Sequence, residues 1–439
     1  MQAALLDRLR STVGPANVLT GVEVSPYVVE GRTPDAVVFP GSVDEVSALV
    51  VLAGESRIPV VPWGGGTAAA VGTPSSRAGL VLGLRRLDRV LEHEPGDLTA
   101  TVEAGITVAK LQAALGAHGQ WLSLDPPEAE RATVGGVLAT NASGPRRHLY
   151  GSARDLLIGV TVVTAEGAVV RGGGKVVKNV AGYDLPKLFI GSYGTLGVIV
   201  EATVRLRPRP DEERLLAVRF DRVKDGGAAA RAVMGSDLIP NAVELLDAEA
   251  ARALGVGWSA PALVVGFDGL AEQVEWQCAE LARLVAACGG REPQRLSGET
   301  WSRLGTVAHG AFAAPAALVR LGVLPTHVAD TMEQGAEAAR GRGLASAWAA
   351  HAGVGVVRGA LFSAREAQEV EPIVATLLEW REVARAGGGH ATLEWAPLSV
   401  KSEVPVWDDP GAAGRIMRGI KAQLDPNNIL NPGRFVAGI

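Results

Sequence analysis

Two stretches of this chain have residue types and spacing suited to holding an anion. Trp63-Gly64-Gly65-Gly66-Thr67, with Gly72 beyond it, places three glycines and a hydroxyl after the extended run Pro59-Val60-Val61-Pro62. Consecutive glycines let backbone N–H groups converge on a phosphate, because no Cβ stands in the way. The segment Thr133-Val134-Gly135-Gly136-Val137-Leu138-Ala139-Thr140-Asn141 opens a helix on a glycine pair. A helix start offers free N–H groups and a positive dipole end, both favourable to a pyrophosphate. Each stretch also has a plainer reading, a flexible hairpin for the first and close helix–strand packing for the second. Small residues continue through Gly144, Tyr150-Gly151-Ser152 and Gly191 to Gly197. So much exposed backbone in one region favours the wall of a dinucleotide site.

A second group of residues could handle a small acid. Arg320 stands inside the apolar run Leu318-Val319-Arg320-Leu321. It reads either as a fork for a substrate carboxylate or as a snorkelling, salt-bridged side chain. His351 sits on a glycine-broken strand, His390 follows three glycines, and His309 lies among small residues. These are proton acceptors, metal ligands or satisfied structural residues. Other chemistries are excluded. Gly172-Gly173-Gly174-Lys175 lacks the Ser/Thr that a nucleotide-phosphate loop needs for magnesium, since Val176 stands there. No Gly-x-Gly-x-x-Gly links a strand to a helix, which argues against a nicotinamide fold. Cys278 and Cys288 match no zinc pattern and provide no disulfide framework. Asn141-Ala142-Ser143 fits a glycosylation triplet, but no secretory signal accompanies it.

The elements that must position these residues follow from periodicity. A chain of 439 residues exceeds one ordinary core, so two domains are expected. Apolar content of 47% and charged content of 20% are those of a globular protein. A net charge of −5 without a basic face argues against nucleic acid. No apolar stretch is long enough to span a membrane. Met1–Gly14 reads as an amphipathic helix, and Ser42 caps a helix over 43–56. Strands are expected at 36–39, 59–62, 80–82, 99–103 and 197–206, with a hairpin at 157–164 and 168–171. Thr107 caps a helix over 108–118. Pro208-Arg209-Pro210-Asp211 reads as a linker. Beyond it, strand-like runs alternate with helices at 271–288, 328–340 and 364–386, the last capped by Ser363. This is an α+β pattern, with helices on one face of a mostly antiparallel sheet. The Pro/Asn-rich tail Asp425–Arg434 reads as a fixed loop that docks rather than dangles.

At these motifs the sequence resembles the vanillyl-alcohol oxidase/p-cresol methylhydroxylase flavoproteins. The resemblance rests on Pro62–Thr67, Thr133–Gly136, Tyr150-Gly151, Arg154-Asp155 and Gly194-Thr195-Leu196-Gly197-Val198-Ile199, in that order, and covers about residues 30–210. It implies an FAD domain at 1–210 with subdomains of about 30–90 and 91–210. It further implies an α+β substrate (cap) domain at 211–413 and a C-terminal segment, 414–439, returning to the FAD domain. FAD contacts are expected from Pro62, Trp63, Gly64, Gly65, Gly66, Thr67, Gly72, Pro126, Thr133, Val134, Gly135, Gly136, Ala139, Asn141, Gly144, Tyr150, Gly151, Gly197, Val198, Ile199 and Asn431. Flavinylated members carry a histidine near the first glycine loop, and this chain has none there, so FAD is expected to be non-covalent.

Three further segments, Lys175–Asp184, Gly388-Gly389-His390-Ala391-Thr392-Leu393 and Asp425–Arg434, resemble the FAD-binding E subunit of bacterial glycolate oxidase. This implies a complex with a second flavoprotein subunit and an iron–sulfur subunit, acting on a small 2-hydroxy acid such as glycolate or D-lactate. Two cysteines cannot hold a four-thiolate cluster, so any such centre belongs to another chain. Arg320 would hold the carboxylate, and His351 or His390 would take the hydroxyl proton. A self-sufficient flavin dehydrogenase and a catalytically silent, flavin-loaded structural subunit remain alternatives. Catalytic relatives, the D-lactate and D-2-hydroxyglutarate dehydrogenases, carry a His-x-Gly-Asp-Gly-Asn-x-His metal pattern. Here it reads His351-Ala352-Gly353-Val354-Gly355-Val356-Val357-Arg358. Valine ligates nothing, so no metal is expected. The expected location is cytoplasmic, with any membrane association made through partner subunits.

Overall fold

The computed structural model describes residues 3–75, 77, 79–174, 184–307, 314–363 and 370–439. The segment Lys175–Tyr183, His309 and the start of the helix expected after Ser363 fall outside the described residues. By its internal contacts the chain divides into two compact units. One comprises Met1–Ser143, Ser152–Arg209 and Asp409–Ile439, and the other Gly144–Gly151 and Pro210–Asp408.

The first unit contains two main sheets. Strands Ala36–Val38, Leu80–Gly83 and Val60–Trp63 pair in parallel, with Val18–Leu19 antiparallel at the edge beside Ala36–Val38. Their fully buried residues leave no polar alternation, as a parallel sheet covered on both faces requires. Helix Val43–Glu55 begins at Ser42, whose hydroxyl accepts from the Glu45 amide, and Val46, Leu49, Val50 and Ala53 face the core. The second sheet is antiparallel, in the order Val90–Glu94, Thr99–Glu103, Val198–Arg205, Leu157–Val163, Val169–Gly173. The C-terminal tail joins the first sheet. The Val60 amide donates to the Ile429 carbonyl, and the Asn431 amide donates to the Val60 carbonyl. Lys421 anchors the tail from below, its buried ammonium shared among Asp425 and the carbonyls of Thr195 and Leu430.

The second unit is one eight-stranded antiparallel sheet. Its order is Gln294–Arg295, Glu212–Arg219, Ala262–Gly269, Ala242–Leu246, Ala345–His351, Val356–Phe362, Ala317–Gly322, His390–Trp395. Alternation divides its faces. Val243, Leu245, Leu263, Val265, Trp348, Ala350, Val357, Val319, Leu321, Ala391 and Leu393 point to one side. Helices Val223–Met234, Ala271–Ala287, Val328–Gly341 and Val370–Ala386 pack there, and each fully buried Leu or Val contributes about 1.5–3 kcal/mol. The expectation of helices on one face is corrected. Short helices Ala248–Leu254 and Thr300–Thr306 cover part of the opposite face, over Leu215, Ala217, Leu246, Val264 and Ala349. The rest of that face mixes Leu318, Ala347 and Ala360 with the polar side chains of Glu244, His351, Arg358, Arg320 and Glu394. No helix among the described residues is long and apolar enough to cross a membrane.

Candidate functional site

The first unit holds a cleft of about 890 Å³ including its open mouth, lined by residues 61–69, the glycine pair, Gly197, Ile199 and the tail. That is the size range of small-molecule and cofactor sites. Strand Val60–Trp63 delivers the chain to the first glycine loop. The loop lies so close to the second that a Cβ on Gly64 would stand 2.1 Å from Thr133 Oγ1, and one on Gly65 would stand 1.8 Å from the Arg131 carbonyl. Glycine is therefore required at both positions for packing. Among the described residues, the amides of Gly64, Gly65, Gly66, Thr67 and Ala68 find no acceptor within the chain. These residues are half-buried, with Thr67 exposed, and five neighbouring amides without a partner form a nest open to an external anion.

The expected anion site at the second glycine turn is corrected. The helix there is only Val134–Thr140. Its first amides are already used: Val134 donates to Ile106, Gly135 to Ala104, and Gly136 to the Thr133 hydroxyl. The plainer reading holds for Gly135, where a Cβ would meet Ala104 at 2.7 Å. The N–H groups without a partner are those of the first loop, while the second shapes the wall.

Of the expected contacts, Pro62, Trp63, Gly64, Gly65, Gly66, Thr67, Gly135, Gly136, Ala139, Gly197, Ile199 and Asn431 line the cleft. Others lie elsewhere. Val134 and Val198 are buried in the hydrophobic core. Thr133 caps the helix, and Asn141 ends it in the left-handed conformation. Gly72 packs beneath the Arg434 carbonyl, and Pro126 is buried. Gly144, Tyr150 and Gly151 belong to the second unit, where the Tyr150 hydroxyl donates to Asp268 at 2.7 Å. Sequence reasoning missed Val29, Leu84, Tyr193 and Arg434 on the wall. Arg434 donates to the carbonyls of Ala69 and Val71, tying the tail to the glycine loop. The one available signal was an arginine closing a loop already read as docked. Asn431 donates Nδ2–H to the Tyr193 carbonyl at 2.7 Å, and its Oδ1 is buried with no hydrogen-bond partner.

These residues fit FAD. The free amides suit its pyrophosphate, the orphaned Asn431 Oδ1 suits an N–H donor, and the apolar remainder suits flat rings.

The second unit carries a row of charge on the polar face of its sheet. Glu244, His351, Arg358, Arg320 and Glu394 come from five neighbouring strands. Both Glu244 oxygens lie 2.7–2.8 Å from His351 Nδ1. Arg358 Nη1 donates to His351 Nε2 at 2.9 Å, and its Nε faces Glu394 at 3.4 Å. Arg320 Nε lies 3.6 Å from the other Glu394 oxygen. Arginine is always a donor, so Nε2 accepts and the imidazole proton sits on Nδ1, facing Glu244. Burial, aided by the positive charges of Arg358 and Arg147, holds His351 well below the usual imidazole range, so the ring is neutral. Burial pushes the Glu244 carboxyl up, opposed by the Arg358 and Arg147 guanidiniums.

Both ring nitrogens of His351 are engaged, so the expectation that it accepts a substrate proton is corrected. His390 is exposed at the end of the neighbouring strand, over Gly322. It lies diagonally from Arg320, which pairs with Thr392. His148, which sequence reasoning passed over, packs its ring on Gly353 with Nδ1 buried and unpartnered. A divalent metal does not fit this cluster. Val354 and Val356 supply no ligands, and the Arg358 guanidinium occupies the face of His351 that a metal would need. Among the described residues no three His, Cys, Asp or Glu side chains form a metal cluster.

The chain thus carries a cleft of unpaired amides in one unit and a buried charge row in another. Residues 34–173 match the FAD binding domain, and residues 209–435 match the C-terminal domain of FAD linked oxidases. Glycolate oxidase subunit GlcD of Bacillus subtilis is 31% identical over 92% of this chain and 89% of its own length. A D-lactate dehydrogenase of Archaeoglobus fulgidus is 30% identical over 98% of both. A crystal structure of p-cresol methylhydroxylase shares the fold, with a TM-score of 0.79 at 18% identity over 99% of this chain and 96% of that one. The chain belongs to the FAD-linked oxidase family, with the p-cresol methylhydroxylase-type fold. It is an FAD-dependent oxidoreductase.

Proposed function

We propose that this chain is a dehydrogenase of a small 2-hydroxy acid such as glycolate or D-lactate, oxidising its CH–OH carbon. The observation carrying this reading is Arg320, a half-buried guanidinium on the polar sheet face, held by Glu394 in a chain whose relatives are named for such acids. Arg320 grips the substrate carboxylate through paired N–H donors. His390, diagonal to it, takes the hydroxyl proton. His351, locked between Glu244 and Arg358, positions that guanidinium and transfers no proton. Bound FAD supplies the two-electron acceptor. Electrons then pass to partner subunits, a second flavoprotein and an iron–sulfur protein, through which any membrane association is made.

The visible spectrum of the anaerobic protein, before and after glycolate or D-lactate, tests this. Bleaching of the flavin supports the reading. In Arg320→Leu, loss of two charge-assisted hydrogen bonds at about 1.5 kcal/mol each raises KM about 100-fold with FAD content unchanged. Unchanged turnover in that variant removes the clamp. Flavin that bleaches with dithionite but with neither acid favours a structural subunit, a reading supported by the sealed His351.

A further inference from the structure

His351 is held from both sides. Behind it, Nδ1–H donates a hydrogen bond to the buried Glu244 carboxyl group. In front, Nε2 faces a cation that also reaches a second carboxylate, Glu394. Proteins orient imidazoles onto metal ions in this way, with a carboxylate fixing the far nitrogen and a cation at the near one. The cation here is part of the chain. We propose that the Arg358 guanidinium is a resident fixed charge standing where a divalent ion would bridge His351 and Glu394, so that this chain neither binds nor needs a metal there.

The geometry gives the reasons. A zinc ion would have to approach both ligands to about 2.0–2.2 Å. The guanidinium occupies that approach, with a nitrogen 2.9 Å from His351 Nε2 and another 3.4 Å from Glu394. Arg358 is paired across strands with Arg320 and is almost buried, so it cannot swing into solvent without leaving the buried His351 Nε2 without its donor. Arginine never releases its proton, so the charge is constant. A metal gives an oxygen a coordination bond, whereas a guanidinium gives it only hydrogen bonds. The inference stands whether or not the substrate is a hydroxy acid.

The test is metal binding rather than turnover. FAD-loaded wild-type protein is exposed to Zn2+ or Mn2+, dialysed, and analysed for metal by mass spectrometry and for thermal midpoint. Wild type and Arg358→Lys are expected to retain no stoichiometric metal, and neither the ions nor EDTA should move their midpoints. Arg358→His, which places a second imidazole beside His351 and Glu394, is expected to take up one ion per chain and gain a midpoint shift that EDTA reverses. Adding Glu244→Gln to that variant should weaken the metal about 10–100-fold, through loss of the carboxylate behind His351. A folded, FAD-retaining Arg358→His protein that binds no metal overturns the proposal. So does a stoichiometric ion in wild type that His351→Ala or Glu394→Gln releases. If Arg358→His does not fold, the wild-type measurement decides alone.

Discussion

The glycine cleft of the first unit and the charge row of the second are built by opposite means. The cleft is backbone. It presents the unpaired amides of Gly64 to Ala68, and at Gly64 and Gly65 side chains matter by being absent. The row is side chain. Glu244, His351, Arg358, Arg320 and Glu394 work only because antiparallel register brings five strands side by side with the same parity. A backbone site tolerates no added atom where chains touch. A side-chain site tolerates no missing partner. The same kind of substitution should therefore fail differently in the two places.

The largest effect is expected from Gly65→Val. The new side chain meets the Arg131 carbonyl, and the loop must move away from Thr133. Losing two amide contacts at about 1.5 kcal/mol each weakens FAD about 100-fold, measured by flavin fluorescence on titration. Normal affinity would mean the free amides are not the phosphate ligands. Next comes Glu244→Leu, which strands the His351 Nδ1–H in a buried site. About 1–3 kcal/mol of stability should be lost in urea unfolding, while FAD affinity stays unchanged. A loss of FAD together with stability would break the comparison.

A pH-dependent effect lies beside the row. Asp247 caps helix Ala248–Leu254, which covers the apolar part of the same sheet face. Burial pushes its carboxyl up to about 7. A raised acid favours the folded state while protonated. That contribution is complete below the ordinary carboxylate range and is lost as pH rises towards 7. Asn caps helices as well as Asp does, so Asp247→Asn keeps the cap and removes the titration. Wild-type stability minus that of the variant should fall between pH 4 and 7 and level off above. A flat difference would place Asp247 in contact with water.

Much of the cleft was legible because its signals are local. Ser42 and Glu45 fall three apart, and the cap forms as that spacing requires. Trp63–Thr67 reads as an anion loop with no knowledge of the rest. The helix at Val134 misled because the carbonyls that consume its amides, Ala104 and Ile106, lie some thirty residues earlier. Helix Val223–Met234 was invisible for a similar reason. Gly226 and Gly227 look like a turn, yet they are small so that Leu245 and Ala329 can pack against the helix. The row was the least legible part. His351 and Glu244 are 107 positions apart, and nothing near either residue announces the other. Arg320 stood out only because it interrupts an apolar run, and the same argument applied to Glu244 in Ala242–Leu246 would have found its counterpart.

The tail that pairs with Val60 and ties Arg434 to Ala69 and Val71 also sets an order of events during synthesis. The glycine loop leaves the ribosome early, but its wall is finished only by residues made after the whole second unit. At about 5–20 residues per second, Gly66 waits roughly 20–70 s for Asn431 and Arg434. Throughout that interval the edge of strand Val60–Trp63 is uncovered, ready to pair with another nascent chain. A cell making this protein has reason to shield that edge, and a ribosome stalled before Asp425 would hold a chain unable to complete its cofactor site.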